Sequence, residues 1–134
     1  MQKANKKQRN ILFKSDKNDT ILSVCSATAK EYAKTLEIDM DVACYETNVP
    51  LDKEKYQYIN PLYIRKLYFE TEWTTDFVIT DKNGKKRVRE LVSREMLSHQ
   101  SDIEKLEFSR RYWSLMNDVE WKILLLERGE MDVL

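Results

Sequence analysis

Glycine and proline are the rarest punctuation in this sequence: each occurs twice in 134 residues. So few chain breakers exclude flexible Gly- or Pro-rich linkers and predict short connections within one domain. Cysteine also occurs twice, as Cys25 and Cys44, and histidine once, as His99. The cysteines form no CxxC pair, so a zinc site of about four ligands cannot be assembled. No apolar run approaches the roughly 20 residues that a membrane-spanning helix needs. The basic N-terminus is not followed by the apolar core of a signal peptide. The expected location is therefore the cytoplasm, with no membrane partner. Net charge is missing too, because 23 Lys and Arg balance 23 Asp and Glu. Overall charge thus carries no nucleic-acid signal.

What is present is core-forming material. Hydrophobic residues make up 42% and charged residues 34% of the chain, a balance typical of folded proteins rather than disordered ones. The length fits a single domain able to bury a core without staples. Seven Tyr and three Trp point to a well-filled core or a contact face. The charge is unevenly placed. Lys3, Lys6, Lys7, Arg9, Lys14 and Lys17 crowd the first seventeen residues, opposed only by Asp16. Residues 1–19 read as a basic arm, either a solubilising terminus or a segment that follows a phosphate backbone. Its short apolar patch, Ile11-Leu12-Phe13, is suited to docking on the domain formed by residues 20–134.

Periodicity sets the expected elements. Thr20 or Ser23 is a candidate cap for a helix running to about Glu37, with Ala29, Tyr32, Ala33 and Leu36 as its apolar stripe. Residues 40–49 alternate weakly and read as a strand ended by Pro50. A charged loop over 52–57 and a second extended stretch from Leu62 to Phe69 follow. Thr75 to Thr80 reads as a strand, and Arg87 to Val92 as its return across Asn83-Gly84, the strongest short hairpin signal in the chain. Ser101 and Glu104 have the spacing of a capping box for a helix to about Met116. Ile103, Leu106, Tyr112 or Trp113, and Met116 would form its buried face. The near-continuous apolar run Trp121–Leu126 predicts a strand buried on both faces and paired in parallel. The order implies an α/β fold, a mixed sheet with flanking helices.

Metal-assisted phosphodiester hydrolysis requires clustered carboxylates to hold a divalent ion and a nearby cation to help the attacking water. Asp76 at the start of one hairpin strand and Glu90 on the returning strand can converge on one magnesium ion. Around them, Thr75-Asp76-Phe77-Val78, the Gly-containing hairpin, Ile103-Glu104-Lys105-Leu106-Glu107-Phe108-Ser109-Arg110-Arg111-Tyr112-Trp113 and Trp121-Lys122-Ile123-Leu124 resemble the catalytic domain of TnsA. That family comprises the endonuclease partners of heteromeric transposases. The similarity runs from about Glu72 to Leu126, is fainter from Leu22 to Leu51, and covers the catalytic domain alone.

The resemblance implies a restriction-endonuclease-like PD-(D/E)XK fold and magnesium-dependent strand cleavage at transposon ends. It also implies DNA, a DDE-type transposase and an ATP-dependent regulator as partners. Asp76 matches the metal-binding Asp, and Glu90 falls where the family has a Gln or a second acid. The catalytic Lys falls on Val92, followed by Ser93 and Arg94. The helix-borne Glu falls near Ala29, two residues from Glu31. Asp76, Glu90, Glu31 and Arg94 are therefore the candidate catalytic residues, the last two as compensating groups.

Other readings stand beside these. Asp76 also suits a turn cap, and Glu90 a pairing with Arg87 or Lys86. Glu31 would then be a solvated helix residue. Lys85, Lys86 and Arg87 on the hairpin, with Arg110 and Arg111, are candidate DNA contacts. Against that, the hairpin lysines also suit a charged edge, and the two arginines suit pairing with Glu107 one turn away. Trp113 is expected to pack in the core. Two functions remain: a metal-dependent endonuclease subunit of a transposition system, or a catalytically inactive module of the same fold that binds DNA or a transposase.

Overall fold

The computed structural model describes residues 10–127 and 130–133. Lys3, Lys6, Lys7 and Arg9 of the expected basic arm lie outside them. The elements are β1 (Ile11–Ser15), β2 (Thr20–Val24), α1 (Ala27–Ile38), β3 (Val42–Pro50), β4 (Thr74–Asp81), β5 (Lys86–Ser93), α2 (Gln100–Trp113), β6 (Val119–Glu127) and β7 (Glu130–Val133). Short 3₁₀ turns occupy Lys53–Tyr58, Lys66–Glu70 and Arg94–Ser98. The main sheet has the order β3-β4-β5-β6-β7. It is mixed: β5 and β6 run parallel, and its other neighbours are antiparallel. The expected α/β architecture and the parallel pairing of the Trp121–Leu126 run are both present.

The hairpin β1–β2 is a correction to the expected arm and helix start. Ile11 pairs with Val24 and Ser15 with Thr20, so the strand pair straddles the boundary expected at residue 19. Thr20 and Ser23 lie in β2, and Ser26 caps α1, its Oγ accepting from the Ala29 N–H at 3.1 Å. Alternation explains the shift. Ile11, Phe13 and Leu22 face one side of the hairpin and pack against Val24, Ala29, Ala33, Leu36, Tyr45 and Phe77, as the apolar patch predicted. The hairpin also shields the β3 edge. The Tyr45 N–H donates to Asn18 Oδ1 and Lys17 Nζ donates to the Val42 carbonyl, both at 2.8 Å, which leaves fewer bare edge groups.

Two further expectations fail. Residues 62–69 are not extended; they form a turn and the 3₁₀ segment Lys66–Glu70. Tyr68 and Phe69 pack inward instead, with Phe69 on Phe108 at 5.0 Å and Tyr68 on Trp73 at 5.0 Å between ring centroids, while Tyr63 stays exposed. The capping box of α2 is also absent. The helix starts at Gln100 after His99, and Glu104 accepts instead from the backbone N–H and guanidinium of Arg65. A bidentate arginine outcompetes a neutral cap for a carboxylate. The buried residues of α2 are Phe108, Ser109 and Tyr112, while Ile103 is exposed.

The two helices cover opposite faces. Leu91 of β5 packs with the α1 cluster, whereas its neighbour Glu90 bonds Ser109 of α2, and successive strand residues point to opposite sides. The β4–β5 turn is held by the Asp81 carboxylate, which accepts from the Asn83 and Lys85 N–H groups at 2.9 Å each. Gly84 takes φ +83° there, a region that costs other residues strain. Among the described residues, no helix is long and apolar enough to cross a membrane.

Candidate functional site

The β4–β5 ladder pairs Phe77 with Arg89 and Val78 with Val88. One step further, the same register sets Asp76 across from Glu90. There the backbone ladder gives way to side chains. The Asp76 N–H donates to Glu90 Oε1 at 3.1 Å, and the Leu91 N–H donates to Asp76 Oδ2 at 2.8 Å. Each carboxylate thus satisfies a backbone donor of the opposite strand, and the strands part around the pair.

Glu90 is 7% exposed and its second oxygen is held on two sides. Oε2 accepts from Thr75 Oγ1 at 3.0 Å and from Ser109 Oγ at 2.5 Å. Each hydroxyl is itself braced: Trp113 Nε1 donates to Thr75 Oγ1 at 2.8 Å, and Trp121 Nε1 donates to Ser109 Oγ at 2.9 Å. An indole N–H only donates and a hydroxyl has one proton. The direction is therefore forced, from tryptophan to hydroxyl to carboxylate on both arms. Burial, and then the charge of Asp76, push the Glu90 carboxyl up to about 7. Burial also raises Asp76, opposed by the Leu91 N–H and by the charge of Lys105. Two carboxylates this close favour sharing a proton near neutral pH.

The pair opens into a cleft of about 400 Å³ between α1 and α2. Ala29 and Cys25 line it on one side, and Asp102, Lys105 and Leu106 on the other. Lys105 Nζ sits over the Trp73 ring, 5.1 Å from its centroid. Burial, and then the negative charge of Asp76, raise the Cys25 thiol, so this cysteine is not an activated nucleophile.

The structure brings Asp76 and Glu90 together and separates the other catalytic candidates from them. Glu31 is exposed on α1 and pairs with Lys34 at 3.3 Å; its offset from Ala29 turns it away from the cleft wall. Arg94 begins the 3₁₀ turn after β5 and is exposed; it is not part of the cleft lining, which includes Ser93 and Met96. Val92, where the resemblance leads us to expect a lysine, is fully buried. Among the described residues, no group of three or more His, Cys, Asp or Glu side chains could hold a metal ion.

Glu90 does not pair with Arg87 or Lys86. Arg87 bonds Asp81 at 3.2 Å, and Lys86 Nζ donates to Thr80 Oγ1 at 2.8 Å. Lys85 is exposed at the hairpin tip. Arg110 forms a fork with Glu107. Arg111 binds Glu107 and the carbonyls of Asn60 and Leu62. Hydrogen bonds from Arg110, and then from Arg111, hold Glu107 down to about 2. Both guanidiniums are thus spent on intramolecular pairing, with Arg111 tying a loop to α2. Trp113 packs against the buried cluster of Leu51, Tyr56, Phe108 and Tyr112, as expected.

Sequence reasoning missed Thr75, Ser109, Trp121, Trp73 and Lys105. One signal was available for Ser109, a small polar residue standing in the buried stripe with Leu106 and Tyr112 at helical spacing. The tryptophan braces depend on tertiary contacts and leave no local pattern. Comparison of the sequence with protein-family models and with curated proteins finds no match.

Proposed function

We propose that this chain is a TnsA-like subunit of a mobile-element transposition system, with a restriction-endonuclease-like fold, that works as a binding module for DNA or a transposase subunit. The observation that carries this reading is an acidic pair kept without its partner groups. Asp76 and Glu90 converge at the parting of β4 and β5, while fully buried Val92 stands where a nuclease of this kind needs an amine and Ala29 stands on the cleft wall. Losing one catalytic group costs orders of magnitude in rate. Lys82, Lys85 and Lys86 are exposed on the hairpin and offer the phosphate contacts that a sequence-independent DNA grip requires.

One observation favours a second reading, a magnesium-dependent nuclease. Lys105 lines the same cleft as the acidic pair and is an amine able to stand in for the lost one. Two adjacent carboxylates fit a magnesium ion that takes its remaining ligands from water and phosphate. When bound there, the ion would polarise the phosphodiester and activate water.

Incubation of supercoiled plasmid and of a branched duplex with magnesium or manganese separates the two. The wild-type chain and Asp76→Ala are expected to leave both substrates intact. Cutting by the wild type that Asp76→Ala abolishes would overturn the binding-module reading. In band shifts, Lys82→Glu, Lys85→Glu and Lys86→Glu should weaken DNA binding and flatten its salt dependence.

A further inference from the structure

We infer that the cleft beside Asp76 is a socket for one cationic side chain, an arginine or lysine, presented by a partner protein. This deepens the binding-module reading and rests on it, since it needs a cleft that does not serve a catalytic metal. Its size, about 400 Å³, is at the small end of ligand pockets, which run from roughly 300 to 1,000 Å³. That volume suits a single long side chain and excludes a duplex.

Charge selects the occupant. Three carboxylates, Asp76, Glu90 and Asp102, line the cleft against one ammonium, Lys105. A phosphate entering here would meet net negative charge, and a cation net attraction. The walls suit the stem of such a side chain. Leu91, Met96, Leu106 and Trp73 present apolar surface, against which the methylenes of lysine or arginine pack while the head seeks the acids. Glu90 is committed to three donors and Asp102 lies 3.6 Å from His99 Nδ1, so Asp76, which is only half-buried, is the acid left to receive the guest. The chain itself shows that the aromatic wall accepts a cation, because Lys105 Nζ rests over Trp73. A guanidinium between the Trp73 face and the Asp76 carboxylate would combine cation–π and charge-assisted contacts.

The test is a titration of the ¹⁵N-labelled full chain with N-acetyl-argininamide, with its neutral isostere N-acetyl-citrullinamide, and separately with magnesium chloride. The expected result is saturable movement of the Asp76 and Leu91 amides and the Trp73 indole, half complete at about 1–10 mM arginine derivative. The citrulline derivative should bind about tenfold more weakly. Asp76→Asn keeps an acceptor for the Leu91 N–H, and should weaken arginine binding about tenfold while leaving distant resonances in place. Lys105→Met removes the competing cation and should tighten binding about threefold.

Equal binding of the arginine and citrulline derivatives, no saturable movement, or indifference to Asp76→Asn would overturn the socket. So would magnesium moving these resonances while arginine does not; that result would favour the nuclease reading as well. Loss of DNA binding in the band shift with the arginine response intact would instead remove the DNA arm of the function and leave the socket standing.

Discussion

Ser109→Ala tests the reasoning about the buried acid most sharply. The substitution removes the Ser109 Oγ donor, 2.5 Å from Glu90 Oε2, and deprives Trp121 Nε1 of its acceptor at 2.9 Å. A hydrogen bond to an ionised group is worth about 1.5–3 kcal/mol, and a neutral one about 1. Trp121 is half-buried, so water can recover part of its loss, and the stranded indole adds about 1 kcal/mol. The total is about 3 kcal/mol at pH 8, where Glu90 is anionic, and roughly half that at pH 5, where it carries a proton. For a chain of this length, about 3 kcal/mol lowers Tm by about 10 °C.

Urea unfolding followed by circular dichroism at both pH values measures the change. Trp121→Phe in the same background completes a double-mutant cycle, with a coupling of about 1 kcal/mol expected. A loss below about 0.5 kcal/mol at pH 8 is what an ordinary surface change produces. That result, or an equal loss at the two pH values, would refute the forced chain from Trp121 through Ser109 to Glu90.

Glu90 also sets a pH dependence. Its folded carboxyl is raised from 4.5 to about 7, by burial first and then by Asp76, so the folded state holds the proton more tightly than the unfolded chain does. Its contribution to stability is complete below about 4.5 and is lost as pH rises through about 7, on the order of 3 kcal/mol in all. Thermal melts from pH 5 to pH 8 should show this decline, and Glu90→Gln should flatten it; a slope unchanged by Glu90→Gln would place its origin elsewhere. Arg111→Ala removes the clamp on the Asn60 and Leu62 carbonyls and on Glu107. It should cost about 1–2 kcal/mol and speed amide exchange at Ile64, whose N–H bonds the Pro61 carbonyl in the same loop; unchanged exchange at Ile64 would show that the loop holds without the arginine.

Local pattern carried the elements with strong signatures. Asn83-Gly84 marked the β4–β5 turn because a positive φ is cheap only for glycine, and Gly84 takes it. The apolar run after Trp121 marked a strand deep in the sheet, and it pairs in parallel with β5. The acid pair was legible as well, since Asp76 and Glu90 lie on the two arms of one hairpin, and hairpin register follows from the turn. Pattern failed where a long-range partner competed with a local one. Glu104 left its capping box for Arg65, 39 residues away. Thr20 and Ser23 entered a strand because Ile11 and Phe13 needed a partner strand to reach the core. What surrounds the acids was decided by tertiary structure alone. Thr75, Ser109 and the two tryptophans meet at Glu90 because α2 packs over this face and β6 pairs alongside β5, and no spacing in the chain encodes which hydroxyl a folded helix will bring to a buried carboxylate. Sequence determined that two acids would face each other; packing decided that one is clamped by three donors and the other looks into a cleft.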